Sequence, residues 1–188
     1  MAPTDDFSGR VRDLADRLAD AGIDALGGLF DLTSQRLVRF AIALTRNQHD
    51  AEDAVQAAIV RIGRQPALLA ATASPWPYLL QIVRNEALVI ARRKARVTHP
   101  GNLSDLATNR SVDELEQEET HRAVWVALRA LPTPQAEVVV LKIWESMTFA
   151  QIGEVLNASP NTVASRYQYA MQKLSQRLTK EFREARRV

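Results

Sequence analysis

The chain contains no cysteine, so neither a disulfide framework nor a thiolate metal site can organise it. That absence suits a reducing compartment. Its three histidines, His49, His99 and His121, are scattered and supply no catalytic triad, and the carboxylates Asp50, Glu52 and Asp53 have no second acidic cluster at metal-ligand spacing. No apolar run is long enough to span a bilayer, and the N-terminal MAPTDDFSGRVRD lacks the basic and apolar regions of a signal peptide. The expectation is a soluble cytoplasmic protein, not inserted in a membrane, without enzymatic activity, cofactor or metal. The formal net charge of only +2 adds a further constraint, because any affinity for nucleic acid must come from segregated charge instead of bulk basicity.

Strand signals are also nearly absent, whereas helical periodicity recurs, so the fold class is read as all-α. Phe7, Val11, Leu14, Leu18 and Ala21 form a first amphipathic stripe, and Gly27-Gly28 are placed to interrupt or bend the chain after it. Leu29, Phe30, Leu37, Val38, Phe40, Ala41 and Leu44 make a second helix. A third opens near Asp50 with Ala51, Ala54, Val55, Ala58, Ile59 and Ile62 on one face, and Gly63 and Pro66 end it. A loop to Ser74 leads to a Ser-Pro start and a fourth helix that packs through Leu79, Ile82, Val83, Ala87 and Ile90.

Charge is segregated along the chain. Arg84, Arg92, Arg93, Lys94 and Arg96 crowd one stretch, and Asp105, Asp113, Glu114, Glu116, Glu118 and Glu119 crowd the next. Between about Val97 and Ser111 the periodicity lapses into polar, turn-forming sequence. This predicts two small helical domains, 1–96 and 112–188, joined by a flexible linker over 97–111. In the second domain helical spacing resumes with Leu115, Val124, Leu128 and Leu131, and Thr133-Pro134 starts another helix carrying Val138, Val139 and Leu141.

The most specific feature runs from Thr148 to Leu178. Thr148 and Gln151 form the T-x-x-Q capping box, and Ser159-Pro160 supplies an N-cap followed by proline at the first helical position. Two helix starts therefore stand a short turn apart, with Asn157 between them able to adopt a left-handed backbone. In the second helix Val163, Tyr167, Met171, Leu174 and Leu178 are expected to face the core, leaving Asn161, Thr162, Ser165, Arg166, Gln168 and Tyr169 outside. Those exposed side chains can bond base edges and phosphates, and Arg166, Lys173, Arg177, Lys180, Arg183, Arg186 and Arg187 make the last helix and tail basic. This is the outline of a helix-turn-helix, although capped helix pairs of this kind also occur in bundles that bind nothing.

Taken in order, the motifs resemble the extracytoplasmic-function sigma factors, the small two-domain members of the bacterial sigma factor family, over about Ile23 to Leu178. Asp50 to Gln56, DAEDAVQ, is similar to the family's D-A-E-D-x-V-Q, and Ile82-Val83-Arg84-Asn85 with Arg92-Arg93 is similar to its I-A-R-N and trailing arginines. Leu131-Pro132, Thr148 to Ile152, and Thr162-Val163 with Ser165-Arg166 fall where the family keeps LP, S/T-Y-x-E-I and T-V-x-S-R. The chain departs from the pattern at Ala57, Gly63, Val89 and Asn157.

The resemblance implies a specificity subunit that binds core RNA polymerase and directs promoter recognition. By it, Asp50, Glu52, Asp53 and Gln56 form the polymerase-docking surface. The loop Gln65 to Trp76 and the helix after it would capture unpaired promoter DNA, with Trp76, Arg84, Asn85, Arg92 and Arg93 as contacts and Tyr78 as a further aromatic. Asn161, Thr162, Ser165, Arg166, Tyr169 and Lys173 would read the duplex distal element. An anti-sigma factor is implied as regulator. The competing reading is a free-standing dimeric helix-turn-helix regulator, which would bind its duplex without polymerase. The segment before Ile23 lies outside the resemblance, and its residues suggest no function.

Overall fold

In the computed structural model of the chain, residues 4–21, 25–97 and 119–185 are described. Among them are nine α-helices and no strand: α1 (Thr4–Ala21), α2 (Leu26–Thr45), α3 (Gln48–Arg64), α4 (Pro66–Ala71), α5 (Pro75–Val97), α6 (Glu119–Arg129), α7 (Thr133–Ile143), α8 (Phe149–Leu156) and α9 (Pro160–Ala185). The all-helical class read from the periodicity is the class observed. The linker expected over 97–111 lies outside the described residues except for Val97, which closes α5. Leu115, the acidic stretch from Asp105 to Glu118, and Arg186 and Arg187 lie outside them too.

Helices α2, α3 and α5 form the centre of the N-terminal half, with Leu37, Phe40, Ala54, Ala58, Leu79, Leu80 and Val83 buried between them. Sequence chemistry sets their ends. Asn47, in an extended conformation, accepts from the Asp50 N–H at 2.9 Å and caps α3, so this helix starts at Gln48, ahead of the expected opening near Asp50. Arg46 ends α2 in the left-handed region with φ 58°, its N–H bonded to the Ile42 carbonyl. Gly27 and Gly28 neither break nor separate helices; they sit in the first turn of α2, where Gly28 lets Leu14 of α1 come close.

The stretch expected as a loop before Ser74 contains the short helix α4, started by Pro66. Helix α1 braces it. Val11, Ala15 and Leu18 are fully buried, and Arg12 donates to the carbonyls of Ala70 (3.1 Å) and Thr72 (2.5 Å) at the end of α4. Helix α1 thus has a structural task, which is to hold the α4–α5 connection in place.

In the C-terminal half, α7 is buried along Ala136–Leu141 and packs on α8, α9 and also α2. Helix α9 buries Val163, Ala170 and Leu174, with Tyr167 and Leu178 partly covered. Met171, expected in this stripe, is instead 39% exposed. From Val163 and Tyr167 the next inward positions at 3.6 residues per turn include 170 and 174, so Ala170 takes the place given to Met171. Phe30, in α2 as expected, is 39% exposed and borders a groove. The two halves pack directly on each other, through α2 on α7 and α5 on α8.

Candidate nucleic-acid interface

The helix-turn-helix is assembled by local chemistry. The Thr148 N–H donates to Gln151 Oε1 at 2.8 Å and the Gln151 N–H donates to Thr148 Oγ1 at 3.2 Å, the reciprocal capping box expected from the sequence. Asn157 ends α8 with φ 51°, in the left-handed conformation. Ser159 Oγ accepts from the Thr162 N–H at 3.1 Å and caps α9. Gly153 belongs to no motif read from the sequence, yet the turn depends on it. The Ala158 N–H bonds its carbonyl at 3.0 Å, and a Cβ at this position would stand 2.6 Å from the Ala158 oxygen.

On the outer face of α9, Asn161, Thr162, Ser165, Tyr169 and Lys173 are exposed and Arg166 is partly exposed. Tyr169, 61% exposed, is the most open of the large apolar side chains among the described residues. Two of the hydroxyls already have partners on the helix. Thr162 Oγ1 shares a hydrogen bond with Ser159 Oγ at 2.8 Å, and Ser165 Oγ donates to the Asn161 carbonyl at 3.0 Å. Arg166, Tyr169 and Lys173 recur at helical spacing along one side and Asn161 is exposed in the first turn, with guanidinium, phenol, ammonium and amide donors of the kinds that bond bases and phosphates.

On α3 the acidic cluster divides. Asp53 and Gln56 face outward, with the Asp53 side chain half exposed beside His49. Asp50 is drawn in, its side chain 15% exposed and bonded to Lys94 of α5 at 2.9 Å. Glu52 accepts from Gln48 at 3.0 Å. Glu52 and Gln56 border a groove of about 620 Å³ whose other walls include Phe30, Val38, Trp125 and Trp144, the two indoles stacked with ring centres 5.5 Å apart. The groove thus lies between the two halves.

The residues expected to hold unpaired DNA are less uniform. Asn85, Arg92 and Arg93 are exposed, and Tyr78 is partly so. Trp76 is not available as a stacking platform, which corrects the expectation. It is 4% exposed, meets the Phe7 ring edge-on at 5.0 Å and lies beneath the Arg36 guanidinium. A large indole at the start of a helix is worth more in the core here, because α1 supplies an aromatic partner for it. Arg84 is likewise engaged, with Nε 2.8 Å and Nη2 3.2 Å from the two carboxylate oxygens of Glu137 on α7.

Neither Glu137 nor Glu145 belongs to a sequence motif. Both are buried, at 1% and 3% exposure, and both are neutralised from the opposite half: Glu137 by Arg84, and Glu145 by Arg36 at 2.7 Å and Arg39 at 3.4 Å. Arg46 adds a bond to the Leu131 carbonyl at 3.0 Å. The available signal was a glutamate inside the apolar run AEVVVLKI, which demands a buried cation that pattern alone does not locate.

Similarities to known proteins divide along the same two halves. The family model for Sigma-70 region 2 matches residues 29–97, and that for Sigma-70, region 4 matches residues 121–174. The chain is 32% identical over 155 residues to the ECF RNA polymerase sigma factor SigM of Mycobacterium tuberculosis, covering 82% of this chain and 77% of SigM. It is 28% identical to the probable RNA polymerase sigma factor RfaY of Xanthomonas campestris pv. campestris over 84% of its own length, and spans 41% of that longer relative. Its fold is that of CnrH as solved in complex with the cytosolic domain of CnrY, with a TM-score of 0.68, 24% identity, and 90% and 97% of the two chains covered. Two matched regions in the right order, a capped helix-turn-helix in the second of them and a relative of this identity lead to one conclusion: the chain belongs to the extracytoplasmic-function group of the sigma-70 family of RNA polymerase sigma factors.

Proposed function

We propose that this alternative sigma factor divides promoter recognition between two surfaces, the outer face of α9 for duplex DNA and the α5 face with its leading loop for the unpaired strand, and docks on core polymerase through α3. The observation that carries the reading is the exposed set of Asn161, Arg166, Tyr169 and Lys173 on α9, a helix whose start is capped by Ser159. Donors at the N-terminal end of such a helix can reach base edges, and the basic end can meet the backbone. On α5, Asn85, Arg92 and Arg93 supply polar and cationic contacts for a single strand, while Asp53 and Gln56 offer polymerase a polar, outward patch with one carboxylate.

In this reading the chain performs no covalent step. It contributes binding and positioning, and the chemistry belongs to polymerase. Such work is done in the cytoplasm, and no helix among the described residues is long and apolar enough to cross a membrane. The sigma factor RpoE of Bartonella quintana was solved with the anti-sigma factor NepR, and an anti-sigma partner of this chain would find apolar surface in the groove bordered by Phe30, Glu52, Gln56, Trp125 and Trp144.

Run-off transcription with purified core polymerase on a pool of genomic promoters tests the proposal. Initiation at a defined subset of promoters only when the chain is added supports it. Specific duplex binding by the chain alone, with no effect on initiation, would instead identify the free-standing regulator.

A further inference from the structure

We propose that Arg12 is a positioning residue for single-strand recognition: from α1 it fixes the connection that leads into α5, so that the unpaired strand meets a loop already in its binding conformation. The inference rests on the assignment of that connection and α5 to unpaired DNA. The placement of Arg12 does not.

Helix α4 is six residues long, too short to hold itself, because so brief a helix closes few hydrogen bonds and leaves the carbonyls of its last turn without partners. Its position must come from its neighbours. Among them α1 packs on it more extensively than α3 or α5 does. At the end of α4, Arg12 takes two open carbonyls at once, Nη1 donating to Ala70 at 3.1 Å and Nη2 to Thr72 at 2.5 Å. A planar guanidinium bonded through two nitrogens fixes direction as well as distance. Of the three arginines of α1, Arg10 and Arg17 are exposed and Arg12 alone is drawn in.

From Thr72 the constraint passes along the chain. Thr72 Oγ1 accepts from the Ser74 N–H at 3.4 Å, and the Ser74 carbonyl accepts from the Tyr78 N–H at 3.2 Å in the first turn of α5. A cavity of about 120 Å³ opens beside this turn, with Thr72, Ser74, Pro77, Tyr78 and Gln81 as its walls on the N-terminal half. Hydroxyl, phenol and amide groups there can bond the edges of an unstacked base. Arg12 does not line the cavity; it acts through the backbone of Thr72.

The contribution of such a brace is preorganisation. A loop fixed beforehand loses no further conformational freedom on binding, whereas a loose one does, and can also shift to accept a wrong base. Arg12 therefore governs discrimination between bases. Helix α1 precedes the residues matched to Sigma-70 region 2, which begin at 29, so this control lies outside the matched region.

The test uses the full-length chain with core polymerase, at saturating sigma factor, on a promoter selected from the genomic pool and on versions of it with single-base changes in the proximal element. Arg12→Gln should reduce the ratio of initiation between selected and altered promoters about tenfold, and Arg12→Lys, which keeps the cation but not the planar fork, about threefold. A role confined to stability would lower initiation on all templates alike. An unchanged ratio with folded Arg12→Gln therefore overturns the proposal, and if that variant does not fold, an unchanged ratio with Arg12→Lys overturns it. Amide hydrogen exchange of the free chain needs no promoter: exchange between Thr72 and Tyr78 should quicken in Arg12→Lys while that of α3 stays as in the parent, and equal exchange in both segments overturns the proposal. If the parent initiates but the ratio does not respond, only the role of Arg12 fails. If the parent initiates at no promoter in the pool, the sigma factor reading fails and the proposal falls with it.

Discussion

The Ala158 carbonyl oxygen closes on Gly153 so tightly that a methyl group on Gly153 would lie 2.6 Å from it. The clash is with backbone, which no rotamer change relieves. Gly153→Ala should therefore lower stability by about 1–3 kcal/mol, exceeding the helix-propensity gain of about 1 kcal/mol. Gly27→Ala, with nothing within 4 Å of the added carbon, should have the opposite sign, raising stability by about 0.5–1 kcal/mol. Urea unfolding midpoints of the two variants should move in opposite directions.

The capping box gives a second test at the same motif. Thr148→Ala removes the acceptor for the Gln151 N–H and should cost about 1 kcal/mol in denaturant unfolding. A cost near zero would mean that α8 is set by packing alone.

Arg36→Ala leaves Glu145 buried with only Arg39, at 3.4 Å, beside it, and also removes the cation stacked on Phe7. A loss of about 3–5 kcal/mol is expected. Arg36→Ala combined with Glu145→Ala should recover part of it, and the double-mutant cycle measures the coupling.

Asp53 stands half exposed on α3, away from the core, so Asp53→Arg should alter stability by no more than about 0.5 kcal/mol. Core polymerase affinity, measured by fluorescence anisotropy of the labelled variant, should fall. Unchanged affinity would remove α3 from the docking surface.

Arg166→Ala should reduce discrimination between the best promoter and a mutated one by about 1–3 kcal/mol if the guanidinium bonds a base. A loss that is uniform across promoters and softened at high salt would make Arg166 a phosphate contact.

Local chemistry was legible in the residues themselves. The Thr148–Gln151 box, the left-handed Asn157 and the Ser159 cap each depend on side chains within a few positions of one another, so spacing alone outlines the helix-turn-helix. The apolar stripes of α2, α3 and α5 are readable for the same reason, since a 3.6-residue period is a property of one helix. Spacing does not separate Met171 from Ala170, because neighbouring positions share an inward edge, and the packing of α9 selects Ala170. Trp76 illustrates the larger limit. Whether an indole stacks on a base or fills a core depends on what covers it, and here the cover comes from Phe7 of α1. The pairing of Glu137 with Arg84 joins residues 53 positions apart, and that of Glu145 with Arg36 joins residues 109 apart. The apolar run of α7 is enough to dictate that its buried carboxylate needs a cation. Which arginine answers is settled in three dimensions, because complementary charges far apart in the chain become partners through the packing of one half on the other.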